Sequence, residues 1–169
     1  KIYLDNGKTE RECIVQTVAE AEAAGFRCLE DVLASGEKIK AGDKLYSVCM
    51  NKAISMFVIG KQPLEKGMNI LGAHIDSPRV DIKSNPCYEA DGMAYLDTHY
   101  YGGVKKYQWV ALPLAMHGVV CKKDGTTITV AIGEKPEDPV FVFTDLLIHI
   151  SQKQMEARAS EVIPAEKLD

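Results

Sequence analysis

The chain lacks most of the features that assign a sequence to a class at sight. No apolar run approaches the roughly 20 residues of a membrane-spanning helix, so no membrane partner is expected. No signal peptide opens the chain. It begins with Lys1 rather than Met, and residues are expected to be missing at the start. Basic residues are not in excess: 20 Lys and Arg stand against 24 Asp and Glu, a net charge of −4, which argues against a nucleic-acid partner. The five cysteines, at 13, 28, 49, 87 and 121, are odd in number and form no CxxC pair. A disulfide framework is therefore not expected, and reduced thiols in a cytoplasm are. Neither GxGxxG nor a Walker sequence is present, so nothing supports a nucleotide site. No internal repeat or low-complexity tract appears. What is abundant is apolar side chain, 46% of 169 residues, enough to pack one domain or two small ones.

Thr9-Glu10-Arg11-Glu12 has the form of a capping box, with Ile14, Val18 and Ala21 following at helical spacing and Gly25 suited to end the helix. A helix is predicted over 10–24, with 26–33 a short extension and 35–43 a polar loop. Residues 45–50 and 53–59 read as two strands joined at Asn51-Lys52. The apolar run 68–74 reads as a buried central strand, and 80–83 as a further extended piece. Ser84-Asn85-Pro86 breaks the pattern, and Asp91-Gly92 signals a turn. Beyond it, 94–100, 107–114, 116–121 and 126–132 are short alternating segments, with a hairpin turn at Asp124-Gly125. Thr144-Asp145 is placed to cap a helix over 145–158 with Leu146, Leu147 and Ile150 on its apolar side. The fold class is therefore α/β at the start and β-rich later, divided near residues 85–93.

The stretch LGAHIDSPRVDIK at 71–83 holds the best candidate chemistry. In a strand, His74 and Asp76 would point to one face, about 6.6–7 Å apart along the chain. A histidine that binds an ion, oriented by a nearby carboxylate, suits a metal site. The bare pair fits better a partly buried histidine hydrogen-bonded to its neighbour. Its place at the end of a central strand, where open α/β sheets put their sites, favours the metal reading. Pro78 also holds the chain extended just beyond. Tyr100-Tyr101-Gly102-Gly103 reads as a turn, and Lys105-Lys106 as a solvated edge. His99, His117 and His149 have apolar or aromatic sequence neighbours and read as core or interface histidines.

Taken together, TEREC at 9–13, GAHIDSPRVDIK at 72–83, YYGGVKKYQW at 100–109, PLAMHGVV at 113–120 and IGEKPEDPVF at 132–141 resemble the aspartyl aminopeptidase, or aminopeptidase I, family of zinc metallopeptidases in its bacterial branch. The resemblance runs from about residue 9 to the end, and HIDSPR is its most specific part. It implies a mixed-sheet α/β catalytic domain, begun by 1–90, and an inserted β-rich domain for dimerisation and assembly into a shell, usually dodecameric, begun by 91–169. It implies release of N-terminal residues, often acidic, from peptide substrates. By motif, His74 matches the first zinc ligand and Asp76 the carboxylate that orients it. His149 in LLIHI matches a histidine that reaches a partner subunit's active site.

The resemblance further implies two zinc ions per site, with cobalt or manganese as possible substitutes. They would polarise the scissile carbonyl and acidify a water, with a glutamate as general base. The remaining ligands and that glutamate are expected beyond residue 169, so the segment alone is expected to be an inactive part of a longer enzyme. The competing reading is a non-catalytic assembly protein that retains the fold.

Overall fold

The computed structural model describes residues 1–168, which divide into two compact units, Lys1–Asp76 and the remainder from Ser77 onward. In the first unit, α1 (Ile2–Asn6) precedes α2 (Glu10–Ala23). The capping box closes as the sequence predicts: the Glu12 amide donates to Thr9 Oγ1 at 3.4 Å, and the Thr9 amide donates to Glu12 Oε2 at 2.8 Å. Gly25, at φ +83, takes the left-handed conformation that lets the chain leave the helix. Cys13, Ile14 and Ala21 are the buried positions of α2.

The 26–33 segment is more than an extension. A two-residue strand, β1 (Arg27–Cys28), leads into α3 (Leu29–Ser35), which buries Val32. β2 (Lys44–Cys49) and β3 (Ala53–Val58) form the expected hairpin. β1 runs parallel to β2 and β3 antiparallel, giving a small mixed sheet ordered β1-β2-β3. The chain reverses at Met50 and Asn51, both at positive φ, one residue before the expected Asn51-Lys52. Leu45 and Tyr46 on β2 are buried.

The expected central strand over 68–74 does not form. Met68, Ile70 and Leu71 are 63%, 78% and 100% exposed, and among the described residues no strand pairs with them. An apolar run records what a segment would bury. A strand also needs a neighbour to take its backbone donors and acceptors.

In the second unit, β4 (Arg79–Ala90) and β5 (Met93–Tyr101) form a long antiparallel ribbon closed by the predicted Asp91-Gly92 turn, both residues at positive φ. Ser84-Asn85-Pro86 does not end β4. It sits where the register shifts between Ile82 and Cys87, a bulge that absorbs the proline's missing donor. Residues 85–93 are thus the end of β4, the turn and the first residue of β5.

β6 (Met116–Cys121) and β7 (Thr127–Ile132) pair around Asp124-Gly125 as expected. The 107–114 strand is replaced by a 3-10 turn at Lys106–Gln108 and single bridges from Val110 to Phe143 and from Leu114 to Phe141. The helix expected over 145–158 is also absent. A 3-10 turn at Ile148–Ile150 and one helical turn, α4 (Gln152–Met155), stand in its place. Asp145 Oδ1 accepts from its neighbour Leu146 N–H and from Gln154 Nε2, both at 2.8 Å, and so caps a local turn. Leu146, Leu147 and Ile150 remain exposed, so the apolar side of that helix has nothing to pack on. The core of this unit is Phe143, Ile163 and Leu168, flanked by Val80, Trp109, Val110, Leu114 and Val162. Among the described residues no helix is long and apolar enough to cross a membrane.

Candidate functional site

His74 and Asp76 lie on the unpaired stretch that closes the first unit. His74 Nδ1 is 3.0 Å from Asp76 Oδ1 and 3.0 Å from the Asp76 carbonyl oxygen. Both partners are acceptors, so Nδ1 carries the proton and the Nε2 lone pair is the imidazole's remaining donor to a cation. The His74 side chain is 83% exposed and that of Asp76 36%, so the ring faces solvent from a carboxylate support. This is the orientation expected of a metal-binding histidine with its second nitrogen fixed by an acid.

The stretch is tied back to α2. The Cys13 thiol donates to the carbonyl oxygen of Ile75, between His74 and Asp76, at 3.8 Å. The same sulfur lies 3.8 Å from the Gly7 carbonyl oxygen. Sequence reasoning gave Cys13 no role beyond its place in TEREC. Its position on the buried stripe of α2, beside Ile14, was the available signal.

A catalytic zinc takes about three protein ligands. Among the described residues no group of three His, Cys, Asp or Glu side chains is gathered closely enough to hold an ion. The residues present therefore fit one ligand and its support, not a whole metal site.

His149 belongs to the second unit, on the exposed 3-10 turn Ile148–Ile150 amid the exposed Leu146, Leu147 and Ile150. Of the other histidines read as core or interface residues, His117 is largely buried, with its side chain 13% exposed. His99 is exposed on β5 opposite Asp81. His117 places Nε2 2.7 Å from Glu134 Oε1, an acidic partner that neighbouring sequence gave no hint of. Gly102, at φ +75, turns the chain after β5, and a Cβ there would meet the Pro78 Cα at 3.5 Å. Lys106 Nζ lies over the Tyr100 ring, 5.6 Å from its centre.

Arg79 of the HIDSPR motif, to which sequence reasoning assigned nothing, is anchored locally. Its Nε donates to Asp81 Oδ1 at 2.7 Å, and its guanidinium lies 4.3 Å from the centre of the Tyr101 ring. The Tyr101 contact sets the start of β4 against the end of β5. Lys83 and Asp97, paired at 2.8 Å, line a shallow open cleft with Ile82, Ser84, Asn85 and His99 at the bulge.

Residues 3–165 match the family described as aminopeptidase I zinc metalloprotease (M18). The chain is 54% identical over 169 residues to a probable M18 family aminopeptidase 1 of Clostridium acetobutylicum, covering 100% of this chain and 36% of that protein. It is 42% identical to the corresponding Thermotoga maritima protein, covering 98% of this chain and 35% of that one. The crystal structure of aminopeptidase I from Clostridium acetobutylicum aligns with a TM-score of 0.82 at 52% identity, over 96% of this chain and 35% of that one. The Thermotoga maritima M18 aminopeptidase structure aligns with a TM-score of 0.86 over 98% of this chain and 35% of that one. The chain thus spans about a third of the length of these relatives.

Proposed function

The chain belongs to the aminopeptidase I zinc metalloprotease (M18) family, and we propose that it is part of a zinc-dependent aminopeptidase that removes N-terminal residues from peptides, acidic ones preferentially. The supporting observation is the His74–Asp76 contact within the matched segment: Nδ1 held by an acid, Nε2 turned to solvent. In this reading His74 is a zinc ligand and Asp76 the residue that orients it and supports the metal site. When bound, a pair of zinc ions supplies Lewis acidity to the scissile carbonyl and acidifies an attacking water. Asp76 holds the His74 ring in the tautomer that carries its lone pair on Nε2, so it sets ligand geometry before any ion arrives. Cobalt and manganese are the alternative ions for a histidine and carboxylate set.

The further ligands and the general base belong to the rest of the enzyme, and the 169 residues alone are proposed to be inactive. Residues 1–90 are read as the beginning of the catalytic domain and 91–169 as part of a self-association domain, the β4–β5 hairpin spanning the point where one passes to the other. His149, carried on an exposed apolar turn, is proposed to enter the active site of a partner subunit in a dimer-based dodecamer. The proposed compartment is the cytoplasm, in keeping with unpaired cysteines.

The test is His74→Ala in the complete protein, followed by elemental analysis, far-UV circular dichroism and turnover of aminoacyl-nitroanilides. The expected result is loss of bound zinc and of turnover with the fold retained. Zinc content equal to that of the unsubstituted protein would overturn the assignment.

A further inference from the structure

We propose that Cys13 is a positioning residue for the His74–Asp76 pair, acting through the carbonyl of the residue between them. The inference rests on the reading of His74 as a metal ligand. Cys13 is 5% exposed and lies on α2, sixty-odd positions before the residues it would serve. Its thiol has one proton and two carbonyl oxygens within reach, those of Gly7 and Ile75, each at 3.8 Å. The sulfur is a wedge between the start of the chain and the site stretch.

The wedge is itself well held. The Cys13 carbonyl accepts from Thr17 Oγ1 at 2.8 Å and from the Tyr3 hydroxyl at 3.4 Å. Gly7 is packed so closely that a Cβ there would lie 2.8 Å from the sulfur. Sulfur donors are weak, so the contact matters for where it falls rather than for its strength. The Ile75 carbonyl and the Asp76 amide share one planar peptide unit. Fixing that carbonyl fixes the plane from which the Asp76 side chain departs, and Asp76 in turn fixes the His74 ring. The stretch has no strand neighbour among the described residues, so this contact has little regular backbone pairing to compete with.

The experiment compares Cys13→Ala, Cys13→Ser and His74→Ala in the complete protein. Zinc affinity is read by chelator competition, and thermal stability by melting the metal-free forms. Cys13→Ala removes the donor, and Cys13→Ser keeps one on a shorter arm. The expected result is a zinc affinity weakened roughly 3–10-fold by Cys13→Ala, below the 10–100-fold typical of direct ligand supports. Cys13→Ser should recover to within about twofold of the unsubstituted protein while melting no higher than Cys13→Ala, because the smaller hydroxyl also loses the packing contacts of the sulfur. The Cys13 role is overturned if the Ala and Ser forms lose zinc affinity equally, in step with their melting temperatures, or if neither loses any while His74→Ala does. If His74→Ala itself leaves zinc binding unchanged, the metal-ligand reading falls and the Cys13 role falls with it.

Discussion

Within the first unit, the layer built from α2 and β2 and the stretch 68–76 are equally apolar and meet opposite fates. α2 closes its own hydrogen bonds, and Thr9 and Glu12 satisfy its first turn. β2 is paired on both edges, by β1 and β3, and Leu45 is 1% exposed. The 68–76 stretch has no such pairing among the described residues, and Leu71 is fully exposed. A helix needs a face to pack on, but a strand needs a second backbone before it exists at all. His74 and Asp76 sit on the segment of the second kind. Their geometry is therefore set by side-chain contacts, from Cys13 and from each other, rather than by a sheet.

The sharpest way to break this comparison is to cut equal side chains from its two sides. Leu45→Ala should cost about 2–5 kcal/mol of unfolding free energy, because it opens a cavity in the packed layer. Leu71→Ala should stay within about 0.5 kcal/mol. Urea unfolding of the 169-residue chain, followed by circular dichroism, measures both, and equal costs would erase the distinction.

The next effect in size lies in the site. Asp76→Asn in the complete protein should weaken zinc binding about 10–100-fold by removing the acid that holds the His74 ring. Chelator competition reads it, and an unchanged affinity would mean that the His74–Asp76 contact does not orient a ligand. On the packed side, Thr9→Ala should cost about 1 kcal/mol through loss of the capping box. A null effect in urea titration would place the start of α2 under tertiary rather than local control.

A separate effect is a pH dependence confined to the packed layer. The Tyr46 hydroxyl donates to Glu22 Oε1 at 2.7 Å. That carboxylate, and then burial, pushes the phenol up from 10.0 to about 12. The folded chain thus keeps a proton that the unfolded chain releases. The resulting stability is complete below about pH 10 and is lost as the pH rises towards 12. The stability difference between the unsubstituted chain and Tyr46→Phe should shrink over that range. A constant difference would show that the hydroxyl does not titrate with folding.

What was legible in the sequence follows the same division. α2, the β2–β3 hairpin, the Asp91-Gly92 turn and the β6–β7 hairpin are local structures whose caps and turn residues lie beside the segments they organise. The two failures of pattern reading, the strand over 68–74 and the helix over 145–158, are segments whose apolar residues are exposed in the structure. Their patterns describe a need for partners that lie outside the window in which a pattern is read. Pro86 misled in the opposite sense, because a bulge accommodates what a regular ladder would not. At the site, the pairing of His74 with Asp76 was legible from spacing. Their hydrogen bond was also among the readings, but for a partly buried histidine at a strand end, whereas the ring is 83% exposed on a stretch without strand pairing among the described residues. Cys13 escaped notice because a buried cysteine on a helix looks like any small apolar residue until its sulfur is seen beside a carbonyl.

The exposed run from Met68 to Leu71 also has a meaning for the life of the chain in a cell. A protease takes up accessible backbone free of sheet or helix bonding, and this run offers it near the end of the first compact unit. A single cut there would release α2 with its cysteine on one product and leave His74 and Asp76 on the other.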